Sequence, residues 1–140
     1  MTEPICEHTL LAMPESDYMG PAQRRFFRDR LQRLAREGEQ ARQSARQSLR
    51  TVAQADPLDA AVEEEACRHQ LRFLERSQAL QEKIFQALRR LDGGEYGFCR
   101  VSGEPIGIPR LLARPTTEYC AEVKARLEQN ERHYAHQRTG

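Results

Sequence analysis

The sequence predicts a mostly all-α protein: a long antiparallel coiled-coil hairpin plus a small globular head with a degenerate zinc-finger-like knuckle and a C-terminal helix. Two long stretches with heptad spacing, each nearly free of Gly and Pro, indicate the two arms. A short acidic turn separates them, and a turn-rich segment that contains Cys99 follows. The expected parts are an N-terminal segment on or near the head (1–20), the hairpin (21–93, tip at 55–61) and the head (94–140).

Composition suits one domain built mainly of solvated helices. Of the 140 residues, 39% are hydrophobic and 31% are charged. The net charge of +1 does not favour nucleic acid as the primary partner, and we expect no direct sequence-specific DNA binding. No stretch has the pattern of a signal peptide or a membrane span, so we expect a cytoplasmic protein with its four Cys residues reduced.

The first arm is expected to begin at Pro21, a favourable first helical residue after Gly20. From there to about Gln54 the helical pattern contains one Gly and no Pro. Steps of four and three residues define a seam, the row of side chains expected to face a partner helix. The seam residues of this arm are Phe27, Leu31, Leu34, Gly38, Ala41, Ala45, Ser48 and Val52.

The second arm follows the acidic turn. Asp56 is expected to cap it and Pro57 to occupy its first position, with further acids close to the helix N-terminus. The same spacing continues until the sequence DGG at 92–94 ends the helix. The seam residues of this arm are Ala66, Gln70, Phe73, Ser77, Leu80, Ile84, Ala87 and Leu91.

Two seams of matched length joined by a short turn predict an antiparallel hairpin with arms of roughly 50 Å. Its charge is uneven, because residues 24–50 hold nine Arg and three acids, whereas residues 51–67 hold five acids and no Lys or Arg. Negative charge at a narrow tip suggests insertion of the tip into a partner. A four-helix bundle formed by dimerisation is the alternative.

The head begins with a turn-rich segment. Residues 95–115 are rich in Gly and Pro, and they include the stretch FCRVSGEP at 98–105, called the knuckle below. A last helix is expected to follow, capped by Thr116 or Thr117 and frayed after about Tyr134.

Four motifs in order resemble the DksA/TraR family of bacterial RNA polymerase regulators: DPLDAA at the tip, GEYGFC at the end of the second arm, GEPIGIPRLLARPT in the head and YCAEVK in the last helix. The resemblance runs from about Tyr18 to about His133. It implies a hairpin that enters the secondary channel of RNA polymerase, an acidic tip near the active site, and altered lifetimes of open promoter complexes in concert with ppGpp. We expect no enzymatic activity and a monomer when free.

The family's tip motif falls on Asp56, Asp59 and Ala61. Two carboxylates on the first turn of a helix form a small region of concentrated negative charge. Near a magnesium-dependent catalytic centre they could perturb ion or nucleic acid contacts. Helix capping is the alternative interpretation, and it accounts for Asp56 better than for the whole acidic cluster.

The resemblance also implies a set of cations. The family's ppGpp contacts, formed together with polymerase, match Lys83, Arg114 and Lys124. Lys and Arg suit phosphate because they offer charged donors. Positions matched to polymerase contact or activity are Arg76, Leu80 and Arg110. Leu80 lies in the predicted seam, so packing is its expected role.

The family's zinc site implies four ligand positions, which here read Cys99, Ser102, Cys120 and Val123. Because Val cannot ligate and a Ser hydroxyl is a poor zinc ligand, we predict a head that folds without zinc, like the zinc-independent paralogues of the family. His133 and His136 could complete the site only if the last helix broke, since they lie roughly 15–20 Å beyond Val123 along a helix.

Several alternatives remain open from the sequence. Cys99 and Cys120 could form a reversible redox pair or remain as two small buried residues. A Gre-like transcript-cleavage factor, whose tip acids would hold a magnesium ion, is a second candidate function. A coiled-coil adaptor with a thiol redox switch, acting through dimerisation, is a third. We predict no cofactor other than ppGpp as a co-regulator.

Overall fold

The computed structural model describes residues 3–52 and 60–139, with the side chains of 60–62 left aside. The elements in these ranges are α1 (Glu7–Ala12), a 3-10 helix (Glu15–Asp17), α2 (Pro21–Val52), α3 (Ala60–Gly93), α4 (Ile108–Ala113) and α5 (Ala121–Thr139). The described ranges contain no β-strand, only one isolated antiparallel bridge between Phe98 and Pro105. The mostly all-α prediction is confirmed.

Helices α2 and α3 pack against each other as the long hairpin that the two seams predicted. Helix α2 begins at Pro21, where the N–H of Arg24 donates to the carbonyl of Gly20 at 3.0 Å. Helix α3 ends at Gly93, and Gly94 follows in the left-handed region with φ +78°. The predicted cap at Asp56 and Pro57 lies outside the described residues.

The hydrophobic core lies at the head end of the hairpin. Side chains from α2 and α3 meet there with Tyr96 and with Leu111 of α4. Tyr96 is 1% exposed, its hydroxyl donates to the Pro115 carbonyl at 2.7 Å, and burial raises its pKa. The buried hydrophobic members of the core are Leu10, Met19, Phe27, Leu31, Ile84, Ala87, Leu91, Tyr96 and Leu111.

Farther from the head, some of the predicted seam positions are displaced by one residue, whereas Ala45 is buried as predicted. On α2, Arg42 is buried while Ala41 is exposed. On α3, Leu80 is 48% exposed, so its predicted packing role is wrong, and Gln81 is less exposed. The same shift exposes two more predicted seam residues, Ser48 and Ala66. In the middle of the hairpin the Arg42 side chain, and not Ala41, occupies the space between the two helices.

A buried arginine occupies the middle of this hairpin. The Arg42 side chain is 3% exposed, and its Nη1 donates to Ser77 Oγ at 3.0 Å across the interface. Its Nη2 lies 2.7 Å from Glu39 Oε2. A Cβ atom at Gly38 would lie 3.2 Å from Arg42 Nη1, so glycine leaves the room that the guanidinium needs. The hairpin interior therefore contains a polar layer.

The N-terminal segment packs on the head, with Leu10, Tyr18 and Met19 among its contacts. Leu10 of α1, a helix that the sequence did not predict, is 1% exposed in the core. The Tyr18 hydroxyl donates to the Gly97 carbonyl and accepts from the Gly107 N–H at 3.0 Å. At Gly97, φ is +89° and a Cβ would lie 2.6 Å from Met19 Cγ, so glycine is required there.

The last helix differs from its prediction at both ends. Helix α5 begins at Ala121, not after Thr116 or Thr117, because a turn comes first: Thr117 Oγ1 donates to the Tyr119 carbonyl at 3.3 Å. It continues to Thr139, past the predicted fraying point. None of the helices described is long and apolar enough to span a bilayer.

Candidate functional site

Three basic side chains line one cleft on the head, called the cation cleft below. Lys83 comes from α3, Arg114 follows α4 directly, and Lys124 lies in the first turn of α5. The cleft has a volume of about 140 Å³. The other residues that line it are Gln86, Thr116, Thr117, Glu118 and Tyr119. The structure thus brings together three cations that the sequence places 41 positions apart from first to last (124 − 83).

Short-range hydrogen bonds hold the floor of the cation cleft. The Arg114 N–H donates to the Arg110 carbonyl at 2.9 Å, and the Thr117 N–H donates to the Arg114 carbonyl at 3.1 Å. Lys124 Nζ lies 3.9 Å from Glu128 Oε1, an exposed i, i+4 pair that constrains the ammonium weakly. The cleft therefore offers charged donors on a fixed backbone, which suits a phosphate-bearing ligand.

Two further predicted residues lie in different settings. Arg110 is half-buried, and its Nε donates to the Tyr119 carbonyl at 3.0 Å, which fastens α4 to the segment before α5. Arg76 is exposed on α3. With steps of four and three residues, Arg76, Leu80 and Lys83 share one helix face, which leads toward the cation cleft.

The fold brings three of the four predicted ligand positions, Cys99, Ser102 and Cys120, close to one another. Cys99 is 3% exposed, and its backbone N–H donates to the Glu104 carbonyl at 2.8 Å. Ser102 Oγ lies 3.8 Å from Cys120 Sγ. Val123 is 3% exposed on the inner face of α5. All four cysteines of the chain are free thiols, Cys99 and Cys120 included.

Local hydrogen bonds alter the acidity of Cys99. Burial raises the pKa of this thiol, but hydrogen bonds from the Ser102 side chain and from the backbone N–H groups of Ser102, Cys120 and Val101 outweigh burial. The net result lowers its pKa from 9.0 to about 6. The hydrogen bonds around this thiol therefore favour its thiolate form more than in an ordinary cysteine.

The side chains at these positions do not fit a structural zinc ion. Four Cys or His ligands are needed, yet Val123 presents only methyl groups and Ser102 only a hydroxyl. Over the ranges that the structure describes, no three His, Cys, Asp or Glu side chains cluster as a metal site. His133 and His136 lie on the unbroken helix α5 and are exposed, so they do not complete the set.

An ion-pair cluster next to the cation cleft was not foreseen from the sequence. Glu118, which lines the cleft, contacts Arg90 of α3 at 2.6 Å and Arg100 of the knuckle at 3.2 Å. The partners are 28 and 18 positions away in sequence, and no local spacing marks such pairs.

The predicted acidic tip lies mostly outside the described residues. This applies to Asp56 and Asp59, and Ala61 is described only as part of the α3 backbone. Glu63 lies in the first turn of α3, where negative charge suits the helix dipole.

Comparisons with known proteins agree with this architecture. Residues 94–129 match the family described as the prokaryotic dksA/traR C4-type zinc finger. A curated relative from Caulobacter vibrioides, named RNA polymerase-binding transcription factor DksA, is 38% identical over 122 residues, covering 84% of each chain. A relative of the same name from Haemophilus influenzae is 41% identical over 80 residues, 57% of this chain and 55% of its own.

A solved structure is similar over nearly the whole fold. It is described as the structure of transcription factor DksA2 from Pseudomonas aeruginosa, with 45% identity and a TM-score of 0.84. The match covers 91% of this chain and 99% of that one. The ordered motifs, the hairpin on its small head and these similarities together show that the chain belongs to the DksA/TraR family.

Proposed function

We propose that this protein is a transcription regulator that binds RNA polymerase through the secondary channel and destabilises open promoter complexes together with ppGpp. It works in the stringent response, in the cytoplasm, as a monomer when free and without catalytic activity of its own. It makes no sequence-specific contacts with DNA. Structural zinc is not required.

The observation that carries this proposal is the cation cleft. A single cleft of about 140 Å³ is lined by cations from three separate parts of the chain: Lys83, Arg114 and Lys124. The pyrophosphates of ppGpp offer the negative charge that Lys and Arg side chains bind well. An exposed helix face with Arg76 and Leu80 adjoins the cleft, which favours a site completed at a contact with polymerase.

The hairpin supports the proposed entry into the channel. Helix α2 has 32 residues and is about 48 Å long at the usual rise of 1.5 Å per residue. The sequence concentrates acids at the far end of this rod, with Asp56 and Asp59 as the residues proposed to act near the active site. A narrow, negatively charged tip at the end of a long helical hairpin suits entry into a narrow channel.

The residues of the knuckle support zinc independence. Val123 occupies a ligand position with a buried apolar side chain, and Ser102 makes local contacts instead of supplying a thiolate. A four-Cys head would lose its fold with its metal, whereas this arrangement holds together through packing and hydrogen bonds.

The lifetime of open complexes at a ribosomal RNA promoter tests the proposal. Lys124→Ala should reduce the additional effect of ppGpp while leaving basal inhibition intact. Arg126→Ala is the matched control, because Arg126 is exposed on the same helix but does not line the cleft. Equal ppGpp responses of Lys124→Ala and wild type would reject the cation cleft as the site.

The tip is tested separately. Asp59→Asn should abolish inhibition of the promoter while polymerase binding, measured by competition, is largely retained. If binding and inhibition fall in parallel, Asp59 serves only to hold the tip together. Rapid shortening of transcripts in backtracked complexes would instead favour the transcript-cleavage alternative.

A further inference from the structure

A carboxylate bridges the end of the hairpin and the knuckle. Glu118 Oε1 lies 2.6 Å from Arg90 Nη1, and Glu118 Oε2 lies 3.2 Å from Arg100 Nη1. Arg90 belongs to α3, Arg100 to the knuckle, and Glu118 to the segment before α5. We call these three residues the clasp.

The clasp includes a main-chain contact as well. The Arg100 N–H donates to the Glu118 carbonyl at 3.0 Å, so the same two residues are joined through both backbone and side chain. Arg100 follows Cys99 directly, and Glu118 precedes Cys120 by two residues. A zinc ion bound at the family's four ligand positions would join these same two segments.

Burial makes the Arg90–Glu118 pair of the clasp stronger than a surface ion pair. The side chains of Arg90 and Glu118 are 11% and 19% exposed, and both carboxylate oxygens have a charged donor. Arg90 Nη2 is buried and has no hydrogen-bond partner within the described part of the chain. Loss of Glu118 would therefore leave a buried guanidinium without its anion, which is costly.

We propose that the clasp joins the knuckle to the start of α5 in place of a metal ion and acts as the positioning device of the cation cleft. The inference rests on the proposed zinc independence. Glu118 itself lines the cleft together with Lys83 and Lys124, so the two ion pairs of its carboxylate fix the position of this part of the cleft wall. The ion pairs of Glu118 thereby link the two segments that a bound metal ion would otherwise link.

Amide hydrogen exchange of the intact protein tests this role. Arg100→Ala should speed exchange of the amides of Arg100, Gly103 and Lys124 by about two- to fivefold, as expected for loss of a partly exposed ion pair, while amides in the middle of α2 and α3 keep their protection. Arg100 is 58% exposed, so its truncation does not disturb the core. Arg89→Ala is the matched control, because Arg89 lines the same side of the head and makes no ion pair in the described ranges.

A second variant separates charge from shape. Glu118→Gln keeps the size of the side chain and removes its charge, and it should speed exchange of the same amides at least as much as Arg100→Ala. Unchanged exchange in both variants overturns the clasp. Wild-type exchange that a chelator accelerates as strongly as Arg100→Ala does also overturns it, because a metal ion then joins the two segments. Zinc content of the same samples shows whether the failure lies in the clasp or in zinc independence.

Discussion

The hydroxyl oxygen of Ser102 lies 3.8 Å from the sulfur of Cys120, so the knuckle and the start of α5 meet side chain to side chain. In a four-Cys finger a thiolate would occupy the Ser102 position. Because the backbone already has the required proximity, restoring the two missing thiols should restore a metal site.

We predict that the double substitution Ser102→Cys with Val123→Cys creates a tetrahedral site with Cys99 and Cys120. The purified double variant should contain stoichiometric zinc by elemental analysis, and a chelator should lower its melting temperature. Wild type should lack zinc, and its melting temperature should not respond to the chelator. Zinc in the wild type would contradict the metal-free head, and a zinc-free double variant would show that the segments are misaligned.

Val123 should contribute to stability as an ordinary core residue. Val123→Ala removes two buried carbon atoms, so we expect a loss of about 2 kcal/mol in the free energy of unfolding, including a small cavity term. Denaturant titration measures it. Val101→Ala is the control, because Val101 is 65% exposed in the knuckle, and its substitution should change the free energy by less than about 0.5 kcal/mol. Equal losses would show that Val123 does not pack as described.

The polar layer of the hairpin should respond to acid. The Arg42 side chain, with Arg46, lowers the pKa of Glu39 below 4.5, chiefly through the hydrogen bond from Arg42. The carboxylate therefore stabilises the fold above pH 4.5, and this contribution is lost as the pH falls through the lowered pKa. Glu39→Gln should be less stable than wild type at neutral pH, and the difference should shrink in acid.

Chemical denaturation at several pH values measures that difference. Glu37→Gln is the matched control, since Glu37 is exposed on the same helix and has no ion pair in the parts of the chain described. If the difference in free energy of unfolding between Glu39→Gln and wild type does not change with pH, the negative charge of Glu39 is not what stabilises the polar layer.

Ionisation of Cys99 should also appear in the pH dependence of stability. The pKa of its thiol falls from 9.0 to about 6 on folding. The stabilisation is fully present above pH 9.0 and is lost as the pH falls toward about 6. As the pH rises from about 6 to 9.0, wild type should therefore gain stability relative to Cys99→Ser. Ultraviolet absorbance of the thiolate gives the pKa directly, and Ser102→Ala should raise it by removing one donor. An unshifted titration in Ser102→Ala would contradict the assigned cause.

The sequence predicted the hairpin well because its signals are local. Pro21 and the glycines after Leu91 mark helix ends through backbone geometry, and heptad spacing marks the packed faces. Beyond Gly38, some interface residues lie one position from the predicted ones, as Arg42 does in place of Ala41, while Ala45 is buried as predicted. That error depends on tertiary packing, since Arg42 is buried only because glycine and Ser77 make space and a hydrogen bond for it.

The head shows the same division between local and long-range information. The three cations were named from family resemblance, and the structure places them around one cleft. The contacts of Glu118 were missed, because they join segments that only the folded chain brings together. The cap predicted at Thr116 or Thr117 was wrong because the hydroxyl of Thr117 closes a turn before the helix begins.

The polar layer at Arg42 also has a consequence for distance. Arg42 and Ser77 are 35 positions apart, so their hydrogen bond fixes how much chain lies beyond the layer. A slip of either helix by one heptad would bury a polar residue against the wrong neighbour and displace the paired region by about 10 Å. The layer thus marks the register of the hairpin: it sets which residues of α2 and α3 pair, and so how far the paired part of the two helices extends from the head.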